Sequence, residues 1–206
     1  MISNDDSKSI EYSLFEQPFG KSWEEWTTQW WRWFFSIPKQ NHPAYDGTGD
    51  MSNVKQDDPN VWFLAGTIGG KAERAIAIPS HKAVLCPVIN VAISHSEDPR
   101  LKTDAQLTSF AKSNIDDIVI KEANVDGVDL EISENHRVRC PPFDFSFPTN
   151  NIYGVQDGLS RGAGDGYWIF LKPLNSGEHN IQTSGSCLSG RIQIEVKVNL
   201  IVQKGP

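Results

Sequence analysis

The chain reads as a mostly β protein: an antiparallel β-sandwich, jelly-roll-like, decorated with two α-helices. Three observations predict this. RIQIEVKVNLIVQK (191–204) alternates, so Ile192, Ile194, Val196, Val198, Leu200 and Val202 share one face. Gln193, Glu195, Lys197, Asn199 and Gln203 share the other, which makes a strand with one wet face and implies an antiparallel sheet. Further short apolar segments are divided by Gly, Pro and Asp turns, without a βαβ rhythm or an internal repeat. Only two segments keep helical periodicity, and both carry a start signal.

The 206 residues fit one domain at 19–206 behind a polar arm at 1–18 that carries a short strand near 10–15. A chain of this length buries roughly 70% of its unfolded surface and needs no staple. The first helix is WEEWTTQWWRW and its continuation, ending before Pro38. Ser22 is the predicted N-cap, and Glu25 completes a capping box. At 100° per residue its five tryptophans with Phe34 and Phe35 cover an arc of roughly 200°, wider than a surface helix needs. Such an arc reads chiefly as core. Its edges, Trp31 and Trp33, are the candidates for a ligand rim or an oligomer contact.

Residues 39–60 are rich in Asp, Asn, Gly and Pro and form a long irregular loop, a length that is usually functional or mobile. VWFLAGT (61–67) is a strand, GTIGGKAER (66–74) a hairpin turn, and ERAIAIP (73–79) an alternating strand. AVLCPVINVAI (83–93) is an apolar strand in which Pro87 demands an edge position or a bulge. The second helix starts near Thr103, with Gln106 completing a capping box, and keeps period through Leu107, Phe110, Ala111, Ile115 and Ile118. VDGVDLEI (125–132) is a hairpin about an Asp-Gly turn. Residues 136–140 are a strand cut short by Pro141 and Pro142. DGYWIFLKPL (165–174) is a strand, turned at NSG (175–177) and returned by EHNIQ (178–182).

GKSWEEWTTQWWRWFFSIP, VWFLAGTIGG, IPSHKAVLCPVIN and DGYWIFLKPLNSGEH together resemble a family of microbial proteins, largely uncharacterised. Its signature is a Trp-rich G-x-S-x-x-E-W helix ending in SIP, a VWFLAGT strand, a P-x-x-K-A-x-x-x-P-x-I-N segment and a late DGYW-x-x-L-x-PL-x-x-G-x-H segment. The resemblance spans residues 18–202. It implies no catalytic residues, and its members often look exported.

Net charge is -7, and no window clusters Lys and Arg with aromatics, which excludes nucleic acid as an expected partner. Residues 1–14 are polar, unlike a signal peptide, and no apolar run is long enough to span a membrane. A cytoplasmic location is the default expectation. Cys86, Cys140 and Cys187 lack metal or redox spacing and read as inert thiols, with a Cys140–Cys187 disulfide as the alternative.

Chemistry-bearing constellations are sparse. In HPAYDGTGD (42–50), His42, Asp46 and Asp50 offer ligands for a small molecule or an ion. The stretch lacks calcium-loop spacing, and Asp-Gly steps also serve plain turns. His81 and His179 sit in segments superficially like those of metal-binding cupins, but the H-x-H pair is missing, so no metal or cofactor is predicted. There is no G-x-S-x-G, and Ser184, Ser186 and Cys187 have no assignable base. Asp57–Asp58 and Asp116–Asp117 are adjacent pairs that project apart. The expected function is a non-enzymatic binding or assembly module for a small molecule, glycan or protein, with homo-oligomerisation a further route. The alternative is a metal-dependent or hydrolytic enzyme using His42, His81, His136 and His179.

Overall fold

The computed structural model describes residues 9–187 and 192–204. The first eight residues of the predicted arm and Arg191, the predicted start of the last strand, lie outside them. Two sheets face each other. The four-stranded sheet holds β1 (Val61–Phe63), β3 (Ala83–Ser94), β7 (Gly158–Leu171) and β6 (Arg137–Phe147), in that order. The five-stranded sheet holds β2 (Gly70–Pro79), β9 (Ile192–Gln203), β8 (Gly177–Cys187), β4 (Ile120–Val125) and β5 (Val128–Leu130). The predicted β-sandwich with two helices, α1 (Trp23–Phe35) and α2 (Asp104–Asp116), is present.

The sheets are mixed rather than purely antiparallel. β1 runs parallel to β3, and β2 parallel to β9. The reason is that connections expected to be hairpins cross between sheets. The Gly69–Gly70 step carries the chain from β1 in one sheet to β2 in the other, and both glycines adopt positive φ (151° and 76°). The turn after β7 likewise leads to β8 in the opposite sheet. The predicted 125–132 hairpin is β4–β5, with Asp126 and Gly127 both at positive φ, as a tight primed turn requires. The arm forms no strand at 10–15. It makes an isolated bridge between Glu11 and Leu171, flanked by Tyr12 N–H to Phe170 O and Lys172 N–H to Ile10 O.

Both predicted proline effects concern bulges, one expected and one not. β3 is an internal strand, and its register shifts between Pro87 and Ile89. β6 does not stop at Pro141 and Pro142. It is an edge strand, and its register shifts between Cys140 and Phe143. The extra residue there inverts side-chain parity. Val138 and Cys140 before it, and Phe143, Phe145 and Phe147 after it, therefore all face one layer.

Two cores result. Between the sheets lie Ile76, Ile78, Val84, Ile169, Leu171, Val198, Leu200 and their neighbours. The second lies on the outer face of the four-stranded sheet, where α1 packs on β6 and β7. Alternate β7 residues divide between them: Tyr167, Ile169 and Leu171 go to the first core, Trp168 and Phe170 to the second. Ser22 and Glu25 form the predicted capping box of α1, and Thr103 and Gln106 that of α2. All five tryptophans of α1 are buried, none more than 6% exposed. The three cysteines are free and buried, with Cys140 in the second core and Cys187 in the first, which excludes their pairing.

β7 meets α1 at a glycine. A Cβ on Gly164 would lie 2.7 Å from Trp31 Nε1, so only glycine admits the indole. Gly47, by contrast, has open space around it. Gly164→Ala is expected to lower stability by about 1–3 kcal/mol through overpacking. Gly47→Ala should stay within about 0.5 kcal/mol of the wild type. Urea unfolding reads both, and equal midpoints for the two variants would refute this packing account.

Candidate functional site

Most residues nominated from the sequence prove structural. Trp31 and Trp33 lie in the second core at 3% and 6% exposure, so neither presents a ring to a ligand. The Trp33 indole N–H donates to Val54 O at 2.9 Å. His42 is 1% exposed and packs edge-on against Phe34. Its Nδ1 accepts from Ala44 N–H at 3.1 Å, so the neutral ring carries its proton on Nε2 and donates to Phe34 O at 2.9 Å. Burial pushes its pKa down to about 4, despite the Phe34 carbonyl.

Asp46 organises its loop. Its carboxylate accepts from the backbone N–H groups of Thr48 (2.8 Å), Gly49 (3.0 Å) and Met51 (2.8 Å). Burial alone would raise its pKa, but these donors outweigh it and hold the carboxyl below its ordinary range. Asp50 is exposed, and the Thr48 hydroxyl lies 2.8 Å from both its carboxylate and that of Asp46. This is the predicted Asx-turn chemistry.

The histidines do not gather. His81 is exposed at the turn between β2 and β3. His136 reaches Glu11 at 3.3 Å. His179 contacts Asp126 at 2.7 Å and Asn175 O at 2.9 Å. Burial would lower the pKa of His179, yet the Asp126 carboxylate and the Asn175 carbonyl carry it above its ordinary value. Among the described residues, no group of three or more His, Cys, Asp or Glu could hold a metal ion. Burial drives the Cys86 thiol up to about 12, so no thiolate nucleophile is available there.

A different surface carries two adjoining open concavities. The outer face of the five-stranded sheet holds adjoining basins of about 630 Å³ and about 560 Å³. Its side chains form cross-strand rows set by register. One row is Lys71, Glu195, Ser184 and Glu122. The next is Glu73, Lys197, Gln182, Asn124 and Asp129, and the third is Ala75, Asn199 and Asn180. The first row is internally paired: Lys71 meets Glu195 at 2.6 Å, and Ser184 donates to Glu122 at 3.0 Å. Asn124 donates to Asp129 at 2.7 Å. The exposed carboxamides of Asn180, Gln182 and Asn199 make no hydrogen bond to any described residue.

The nominated loop forms one wall of this face. Thr48 lines the larger basin, and its carbonyl accepts from Ala75 N–H on edge strand β2 at 2.9 Å. Gly49 has φ 104°, and a Cβ there would lie 2.4 Å from Ala75 O, so glycine is needed to press the loop against the strand. Arg74, 3% exposed, ties the wall from behind. It donates to Asp46 O (2.8 Å), Ala65 O (2.5 Å) and Gly66 O (3.0 Å). The only forewarning in the sequence is the polar half of β9, where Gln193, Glu195, Lys197 and Asn199 alternate with core residues.

No family model matches the chain, and no curated protein or solved structure matches it.

His42 gives a pH prediction. From pH 6.5 down to about 4, the unfolded chain protonates this ring while the folded protein keeps it neutral. Stability therefore falls with pH across that window, by about 3 kcal/mol at its foot. Glu97 acts in the opposite sense. Burial lifts its carboxyl from 4.5 to about 7, so its contribution is lost as pH rises through that range. Comparing wild type with His42→Gln isolates the histidine. The variant should be less stable at neutral pH and show a flatter acid limb in urea titrations. Parallel limbs would contradict the assignment.

Proposed function

We propose that the protein is a non-enzymatic binding module whose ligand face is the outer surface of the five-stranded sheet, walled by the 46–51 loop. The observation that carries this reading is the set of unbonded carboxamides, Asn180, Gln182 and Asn199, lining the floor of the larger basin. Ligand sites combine concavity with a few convergent polar groups, and these groups are left uncommitted by the fold. The enzymatic alternative draws no comparable support. His42 is spent on Phe34 and Ala44, His136 on Glu11, and His179 on Asp126. Three unpaired buried thiols favour a reducing compartment. Among the described residues, no helix is long and apolar enough to cross a membrane.

Amide chemical-shift mapping against a panel of neutral sugars, amino acids, nucleotides and zinc tests the proposal. Perturbations are expected to concentrate at residues 71–75, 122–129, 180–184 and 193–199. Stoichiometric zinc uptake lost on His81→Ala or His179→Ala, or ester hydrolysis by the purified protein, would overturn it in favour of an enzyme.

A further inference from the structure

Resting on the reading of the five-stranded sheet as the ligand face, we infer that its ligand is a neutral, extended oligosaccharide lying across the strands. Three features select that chemistry. First, the uncommitted groups at the centre, Asn180, Gln182 and Asn199, are all carboxamides. Each offers a donor pair and an acceptor side by side, which complements hydroxyls that donate and accept at once. A phosphate or carboxylate would call for Arg or Lys forks instead.

Second, the charges on the face discourage anionic ligands. Lys71 and Lys197 both turn onto Glu195, at 2.6 Å and 3.5 Å. Glu73, Glu122 and Asp129 leave the surroundings acidic, in a chain of net charge -7, so polyanions are repelled. A cation would find no carboxylate among the three central groups.

Third, the geometry suits a chain rather than a single ring. The row Glu73, Lys197, Gln182, Asn124 and Asp129 crosses all five strands, a span of about 19 Å at about 4.8 Å per strand. Asn180 and Gln182 on β8 and Asn199 on β9 lie within about one strand spacing of each other, and Glu73, Asn124 and Asp129 extend the row on either side with further hydrogen-bonding groups. None of the five strands contains Phe, Tyr or Trp, so recognition is by hydroxyl hydrogen bonds and not by stacking on a flat aromatic platform.

Calorimetry with cellohexaose, xylohexaose and mannohexaose tests the inference, with polygalacturonate and an oligolysine as charged controls. At least one hexasaccharide should bind in the roughly micromolar to millimolar range typical of weak specific sites. Affinity should be insensitive to salt and weaker for the matching disaccharide. Gln182→Ala and Asn199→Ala, both exposed and unbonded, should each weaken binding about fivefold to tenfold without changing Tm. If no hexasaccharide binds, the glycan inference falls, and the shift mapping above judges the face separately. If a charged control binds better and both substitutions abolish it, the glycan class falls and the face stands. If a hexasaccharide binds but neither substitution weakens it, the face reading itself is overturned.

Discussion

The structure depends on the docking of α1 against the outer face of the four-stranded sheet. Four of its indole N–H groups each secure a carbonyl outside the helix, in three irregular segments. Trp23 takes Ser13 O and Trp26 takes Pro18 O, which anchors the arm. Trp30 takes Leu64 O just after β1, and Trp33 takes Val54 O in the long loop. Tryptophan suits this because one residue buries roughly 150–250 Å² and still delivers a donor at its tip. The helix thus provides a core and a set of clamps together. Losing one such side chain would cost about 3–5 kcal/mol in cavity terms alone, before the freed carbonyl is counted.

That docking decides which surfaces remain open. With α1 on one side and the second sheet on the other, the four-stranded sheet is covered twice, and β7 is buried almost continuously from Ser160 to Leu171. The five-stranded sheet is covered once. α2 lies against β3 and β7, held by Arg161–Asp104 (2.7 Å) and Arg137–Asp116 (2.8 Å) contacts, and leaves the outer face of the five-stranded sheet free. The broad polar surface is therefore a consequence of where the aromatic residues went.

Local signals in the sequence survive into the fold, and pairings do not. Ser22 with Glu25, Thr103 with Gln106, the Asp126–Gly127 turn and the alternation of β9 are each set by neighbours within a few residues, so the sequence displays them. The crossings at Gly69–Gly70 and after β7 depend on which sheet buries the next strand, which no local pattern states. Pro141–Pro142 misleads for a related reason: proline ends an internal strand but is tolerated on an edge, and edge status is a property of the assembled sheet. The outer face of the five-stranded sheet is the least legible. Asn199 is readable as a wet position on β9, but its neighbours Asn180 on β8 and Ala75 on β2 are fixed by tertiary register. A helical wheel places Trp31 and Trp33 at the edges of an arc, while the closeness of Gly164 and Phe63 is visible only in three dimensions.

In the 46–51 loop the acids serve the backbone and not a ligand. Asp46 spends its carboxylate on the backbone of its own loop and its carbonyl on Arg74. Arg74 points into the sandwich, where burial lowers its pKa, with the Asp46 charge opposing that effect, and all three of its hydrogen bonds go to carbonyls. Swinging the loop away from β2 would remove the Asp46 carbonyl from a desolvated guanidinium, at a cost of about 2 kcal/mol for one hydrogen bond to a charged group. It would also break the Ala75–Thr48 backbone bond. The wall of the proposed ligand face is therefore tied to a buried charge. It behaves as a fixed edge rather than a flap, and a preorganised edge loses little conformational entropy when a ligand settles against it.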